Sequence, residues 1–207
     1  MVRASLTSRP LDFLYFCFFL IHIPASLLLD FQILYPSAYL PTFLLALRQW
    51  YINFSADPLI SAAARGDING ELVWFGCFAW LELLFQFPTF FLGMRGLWNG
   101  SHSIYVLILA YGASTATTTL PCIFYILKEH SRMTAVQQII LLSSYIPFFI
   151  LPLMMAVDMG SRVYKIIRRH SLFEKPRYSG VQISRTIGVI RESFHALTLE
   201  KSPSGTL

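Results

Sequence analysis

Charge is what this sequence has least of. Lys, Arg, Asp and Glu make up 13% of the 207 residues, where a soluble domain carries about 25%. That shortage excludes an ordinary soluble globule, a disordered chain and a basic nucleic-acid-binding domain. Cysteine is scarce too. Cys17, Cys77 and Cys122 all fall in apolar runs. Their odd number and the lack of any Cys/His ligand spacing speak against a disulfide framework and a metal site. Internal repeats and low-complexity segments are absent.

Apolar residues take up the space. They are 55% of the chain, aromatics alone 15%, and the mean hydropathy is +0.56. Four runs reach the length needed to cross a bilayer, about 20 residues: Phe13–Leu29, Leu72–Leu92, Ile104–Leu127 and Ile139–Val157. They are apolar on every face, as membrane helices are, and too long for barrel strands. The sequence therefore predicts an all-α integral membrane protein, a four-helix transmembrane bundle. Arg3 and Arg9 before the first run resemble the start of a signal peptide. The length of the run, and His22 and Asp30 near its far end, argue for a retained helix.

The charges that remain set the orientation. Residues 161–207 carry nine Lys/Arg against three Glu. By the positive-inside rule both termini face the cytosol. The Asn53-Phe54-Ser55 sequon then lies in the first lumenal loop and Asn99-Gly100-Ser101 on the cytosolic side. Two parts follow: a membrane domain over 1–163 and a basic tail over 164–207. In the tail, Ile183, Ile187, Ile190, Phe194 and Leu197 recur at helical spacing, with Arg185 and Arg191 off the stripe. That pattern predicts an amphipathic helix on the membrane surface or a floppy tail. Lys201–Leu207 read as disordered. Residues 35–70 are too long for a plain connection. Asp57-Pro58 opens a short helix there and Gly66 closes it, as part of a structured lumenal loop folded back over the helices as a lid.

Ionisable groups inside spans need a reason, since each costs at least about 2.5–3.5 kcal/mol at mid-bilayer. Asp30 ends the first span, either as a wet interfacial residue or as a counter-ion for a cationic ligand. Asp57 reads as a helix cap. Glu82 sits in mid-span with Gln86 one turn on, so both face the bundle interior. On the third span Tyr111, Ser114, Thr115, Thr118, Cys122 and Tyr125 share one face, either packing a neighbouring helix or lining a pocket. Pro24, Pro88, Pro121, Pro147 and Pro152 put a proline in every span, which predicts kinked helices around a cavity. His22 reads first as a hydrogen-bonded packing residue.

Several short motifs stand in a telling order. They are His22-Ile23-Pro24 with Asp30, Trp50-Tyr51, Asp57-Pro58-Leu59, Glu82-Leu83 with Phe85-Gln86-Phe87-Pro88, Thr117-Thr118 before Pro121, and Ser144-Tyr145 with Pro147. In that order, from about Leu14 to Met155, the chain resembles the EXPERA-domain family, and within it the sigma-2-receptor-like branch rather than the emopamil-binding sterol isomerases. The resemblance implies an endoplasmic-reticulum protein that binds sterols or hydrophobic amines in a pocket inside the membrane. It implies that Asp30 pairs with a ligand ammonium, that Asp57 hydrogen-bonds to Asp30, and that Glu82, Gln86 and Thr118 line the pocket. Ser144, Tyr145 and Phe148 complete the expected ligand-binding set. Ser144 stands where the branch has an aliphatic residue and Phe148 where it has a tyrosine.

These readings favour a binding protein in sterol homeostasis or membrane-protein trafficking over an enzyme. The alternative is a sterol isomerase moving a double bond from the delta8 to the delta7 position. Glu82 and Asp30 would then be the catalytic acid and base, though the isomerases' His-and-Glu set has no match here. No cofactor or metal is expected. The partners expected are the ligand, membrane lipids and other membrane proteins, and the small residues of the third span permit a homodimer.

Overall fold

A computed structural model describes residues 5–35, 39–67 and 70–199, with side chains except at 130, 132, 172–183, 186 and 193–199. Lys201–Leu207 therefore lie outside the described residues. So do the side chains of Ile183, Phe194 and Leu197 in the expected tail stripe.

All regular structure among the described residues is helical. The helices are α1 (Pro10–Leu28), α2 (Thr42–Ser55), α3 (Pro58–Arg65), α4 (Val73–Leu81), α5 (Phe87–Trp98), α6 (Ile104–Lys128) and α7 (Ala135–Leu199). A short 3-10 turn, Asp30–Ile33, follows α1. A π-helical turn, Glu82–Gln86, joins α4 to α5. Four stretches are long and apolar enough to cross a membrane: Pro10–Ile33, Val73–Trp98, Ile104–Lys128 and Ala135–Ser171. The chain is thus an all-α membrane bundle. One compact unit runs through Ser161 and a second begins at Arg162. The described backbone of the second unit is helical.

Local sequence explains the helix ends. Pro10 starts α1, where its missing N–H costs nothing. Pro58 starts α3 behind the Asp57 cap, and Gly66 ends it at φ 89°, a left-handed conformation that glycine adopts without steric cost. The π turn precedes Pro88. A proline there cannot donate to the Leu84 carbonyl and crowds it. The ladder slips by one residue instead, with the Phe87 N–H donating to the Glu82 carbonyl.

The core of the first unit has two centres. In one, Tyr15, Phe19, Phe90, Ile108, Tyr111, Met155 and Met159 are fully buried among α1, α5, α6 and α7. In the other, Leu59, Ala62, Leu72 and Cys122 pack with Trp74, Phe78 and Tyr145. Close approach needs small residues. A Cβ on Gly112 would run into the Pro152 carbonyl and the Ala156 backbone, so this glycine lets α6 lie against α7. Arg9 pins the start of α1, donating to Asp12 at 2.6 Å and to the Leu97 carbonyl at 2.7 Å. Leu20, Ile21, Leu84, Val106, Phe124 and Ile150 face outward, as the lipid-facing side of a span must.

Candidate functional site

Four spans and the α2–α3 segment line a half-open cavity of about 230 Å³. α1 and the turn after it contribute His22, Leu29 and Asp30. The second span contributes Phe75, Phe78, Glu82 and Gln86. Thr115, Thr118, Thr119 and Cys122 come from α6, and Ser144, Tyr145 and Phe148 from α7. Tyr51 and Ile60 close it from α2 and α3. His22, Ser26 and Asp30 share one face because they are four residues apart along a helical path.

The polar groups concentrate at one spot. The Ser26 hydroxyl donates to Glu82 Oε1 at 2.5 Å. His22 Nε2 lies 3.8 Å from that same oxygen. His22 Nδ1 meets the Tyr111 hydroxyl at 3.3 Å, and the imidazole stacks on Phe90 and abuts Phe148 edge-on. Ligand atoms of His22, Asp30 and Glu82 all lie within 4.8 Å of one another. Asp30 faces the cavity and accepts no hydrogen bond from the described residues. Two carboxylates this close repel each other when both are ionised. A ligand cation between them relieves that repulsion.

Asp57 is placed differently. It is fully buried and stands behind the cavity wall rather than in it. Its Oδ1 caps α3, accepting from the Leu59 and Ile60 N–H groups at 2.8 and 3.2 Å. Its Oδ2 accepts from the Tyr51 and Tyr145 hydroxyls at 3.1 and 3.0 Å. Burial pushes this carboxyl above the ordinary range, and the four donors pull it back. Burial and the neighbouring Asp57 hold the Tyr51 phenol well above its usual value, so it stays a neutral donor. Asp57 thereby fixes two tyrosines that do line the cavity.

The expected ligand-binding residues therefore divide. Asp30, Glu82, Gln86, Thr118, Ser144, Tyr145 and Phe148 border the cavity, and Asp57 supports it from behind. No hydrogen bond joins Asp57 to Asp30 among the described residues. On the polar stripe of α6, Thr115, Thr118 and Cys122 face the cavity, Tyr111 and Ser114 hold His22 and Gln86, and Tyr125 packs near Trp74. Sequence reasoning did not assign Tyr51, Phe75, Phe78 or Thr119 to the site. The spacing of Phe75, Phe78, Glu82 and Gln86 on one face was the available signal.

Fold and site together define a multi-pass helical membrane protein built around an acidic cavity. The family profile described as EXPERA (EXPanded EBP superfamily) matches residues 43–159, and the chain belongs to that superfamily. Among its relatives is the efficient mitochondria targeting-associated protein 19 of Schizosaccharomyces pombe, 31% identical over 161 residues, covering 77% of this chain and 80% of that protein. Another is the sigma intracellular receptor 2 of Homo sapiens, 27% identical over 167 residues, covering 75% and 90%. The Xenopus tropicalis receptor of the same name is also 27% identical, over 163 residues.

Proposed function

We propose that this chain binds a sterol or a hydrophobic amine in the cavity, as a membrane protein of the endoplasmic reticulum with both termini in the cytosol. One observation carries the reading. Asp30 and Glu82 face a half-open space walled by Phe75, Phe78, Tyr145 and Phe148, with no Lys or Arg among the described residues that line it. Such a space suits a flat apolar ring system with one cationic or hydroxyl group. The name of the human relative, a sigma receptor, supports a ligand-binding role. The name of the Schizosaccharomyces pombe relative, a mitochondria targeting-associated protein, supports a second task in targeting.

The test is binding of a radiolabelled hydrophobic amine to purified protein. Asp30→Asn and Glu82→Gln should each weaken it by about 10- to 100-fold, the loss of one charge-assisted hydrogen bond. Unchanged affinity in both variants would sink the proposal. Mass spectrometry of lipids extracted from the purified protein identifies the natural ligand class. A sterol isomerase is the second reading, favoured by the His22–Glu82–Ser26 cluster facing Asp30. Rescue of cells lacking sterol isomerase, lost in Glu82→Gln, would select it.

A further inference from the structure

Helix α2 lies outside the four spans. Its 14 residues measure about 21 Å, too short to cross a hydrocarbon core of about 30 Å. Its two sides are unlike. On the inner side Tyr51 lines the cavity and donates to Asp57, and the buried Ser55 hydroxyl donates back to the Tyr51 carbonyl. On the outer side Phe43, Ala46, Leu47, Trp50 and Phe54 fall within an arc of about 100°. Phe43 is 65% exposed, Trp50 60% and Phe54 49%. The Trp50 and Phe54 rings stack in parallel, with 5.4 Å between centroids and 3° between planes. The helix's single charge, Arg48, lies on the opposite side of the wheel. One edge of this face is polar, where the Gln49 amide donates to Asn53 Oδ1 at 3.0 Å.

Left in water, such a face costs about 25 cal/mol for each Å² of apolar surface. We infer that the Phe43–Trp50–Phe54 face of α2 is seated in the bilayer that the spans cross, at the boundary of acyl chains and headgroups. Two observations favour lipid as the occupant. Trp and other amphipathic aromatics concentrate at that depth. The helix is also anchored to the membrane-spanning part, because Tyr51 and Tyr145 of the fourth span share Asp57 Oδ2. Ile146, beside Tyr145, is itself exposed on that span. The Gln49–Asn53 edge then points toward water. α2 becomes the wall between the cavity and the leaflet.

The test uses the full chain in phosphatidylcholine vesicles with Trp74, Trp80 and Trp98 changed to Phe. Bromines near the headgroup end of the acyl chains should abolish most of the Trp50 emission. Bromines near the bilayer centre should quench less, and aqueous iodide little. Strong iodide quenching with no bromine effect overturns the inference. Protection from both also overturns it, and points to a second copy or another protein on this face. The wild-type chain gives an independent check. A phosphatidylcholine carrying a photoreactive diazirine near its headgroup should label the peptide holding Trp50 and Phe54, and absence of that label overturns the inference equally.

Discussion

Asp57 takes four donors at once, two backbone and two phenolic, so one carboxylate closes a helix end and also positions two walls of the cavity. Its replacements should separate these roles. Asp57→Ala removes the cap, worth about 1 kcal/mol, and strands two buried hydroxyls at about 1–3 kcal/mol each. The expected result is a lowered midpoint of thermal unfolding in detergent together with lost ligand binding. Asp57→Asn can still cap α3, but its amide turns N–H groups toward one or both phenols. It should retain more stability than the alanine variant, and comparing the two melting curves checks this. Removing a single donor, Tyr51→Phe, should cost only about 0.5–1.5 kcal/mol by the same measurement. Asp30 stands apart from this network, facing the cavity without a hydrogen bond from the described residues. It is the carboxylate free to meet a ligand.

Within the second span, the π-helical turn sets where Glu82 and Gln86 point. One residue more or less in a helical path turns every later side chain by about 100°. Pro88→Ala returns a donor to the Leu84 carbonyl and permits an unbroken α-helix. Ligand affinity should fall while helicity by circular dichroism stays unchanged. An unaltered affinity would show that the turn does not orient the site. Between elements, Gly112 allows α6 to rest on α7 at Pro152 and Ala156. Gly112→Ala meets backbone rather than a yielding side-chain tip, so overpacking should cost about 1–3 kcal/mol in the same thermal measurement. Gly66→Ala is strained for a different reason: nothing crowds a Cβ there, but its φ of 89° is hostile to one.

For the whole molecule, the proposed orientation rests on the charge surplus of the tail. In microsomes, protease added outside should digest a C-terminal tag on the intact chain, and protection of the tag would invert the topology. Asn53 is a poor reporter of the same point, because the Ser55 hydroxyl of its sequon is buried and donates to the Tyr51 carbonyl. Much of this architecture was legible in the amino-acid order. Apolar run length marks the spans, and Asp57, Pro58 and Gly66 mark the ends of α3, because both signals are local. The inward direction of Glu82 and Gln86 follows from their spacing and the cost of facing lipid. What was not legible is who meets whom. Ser26 and Glu82 are 56 residues apart in sequence and are joined by a hydrogen bond. Asp57 and Tyr145 are 88 apart. Such pairings depend on how each helix is rotated and where it crosses its neighbours, and side-chain packing across the bundle fixes both. Sequence alone therefore determined a four-span helical membrane protein with a few costly acids in its apolar part. Only the tertiary structure decided that Asp30 and Glu82 converge on the cavity while Asp57 braces its wall, because hydropathy adds up along the chain and the partner of a buried polar group does not.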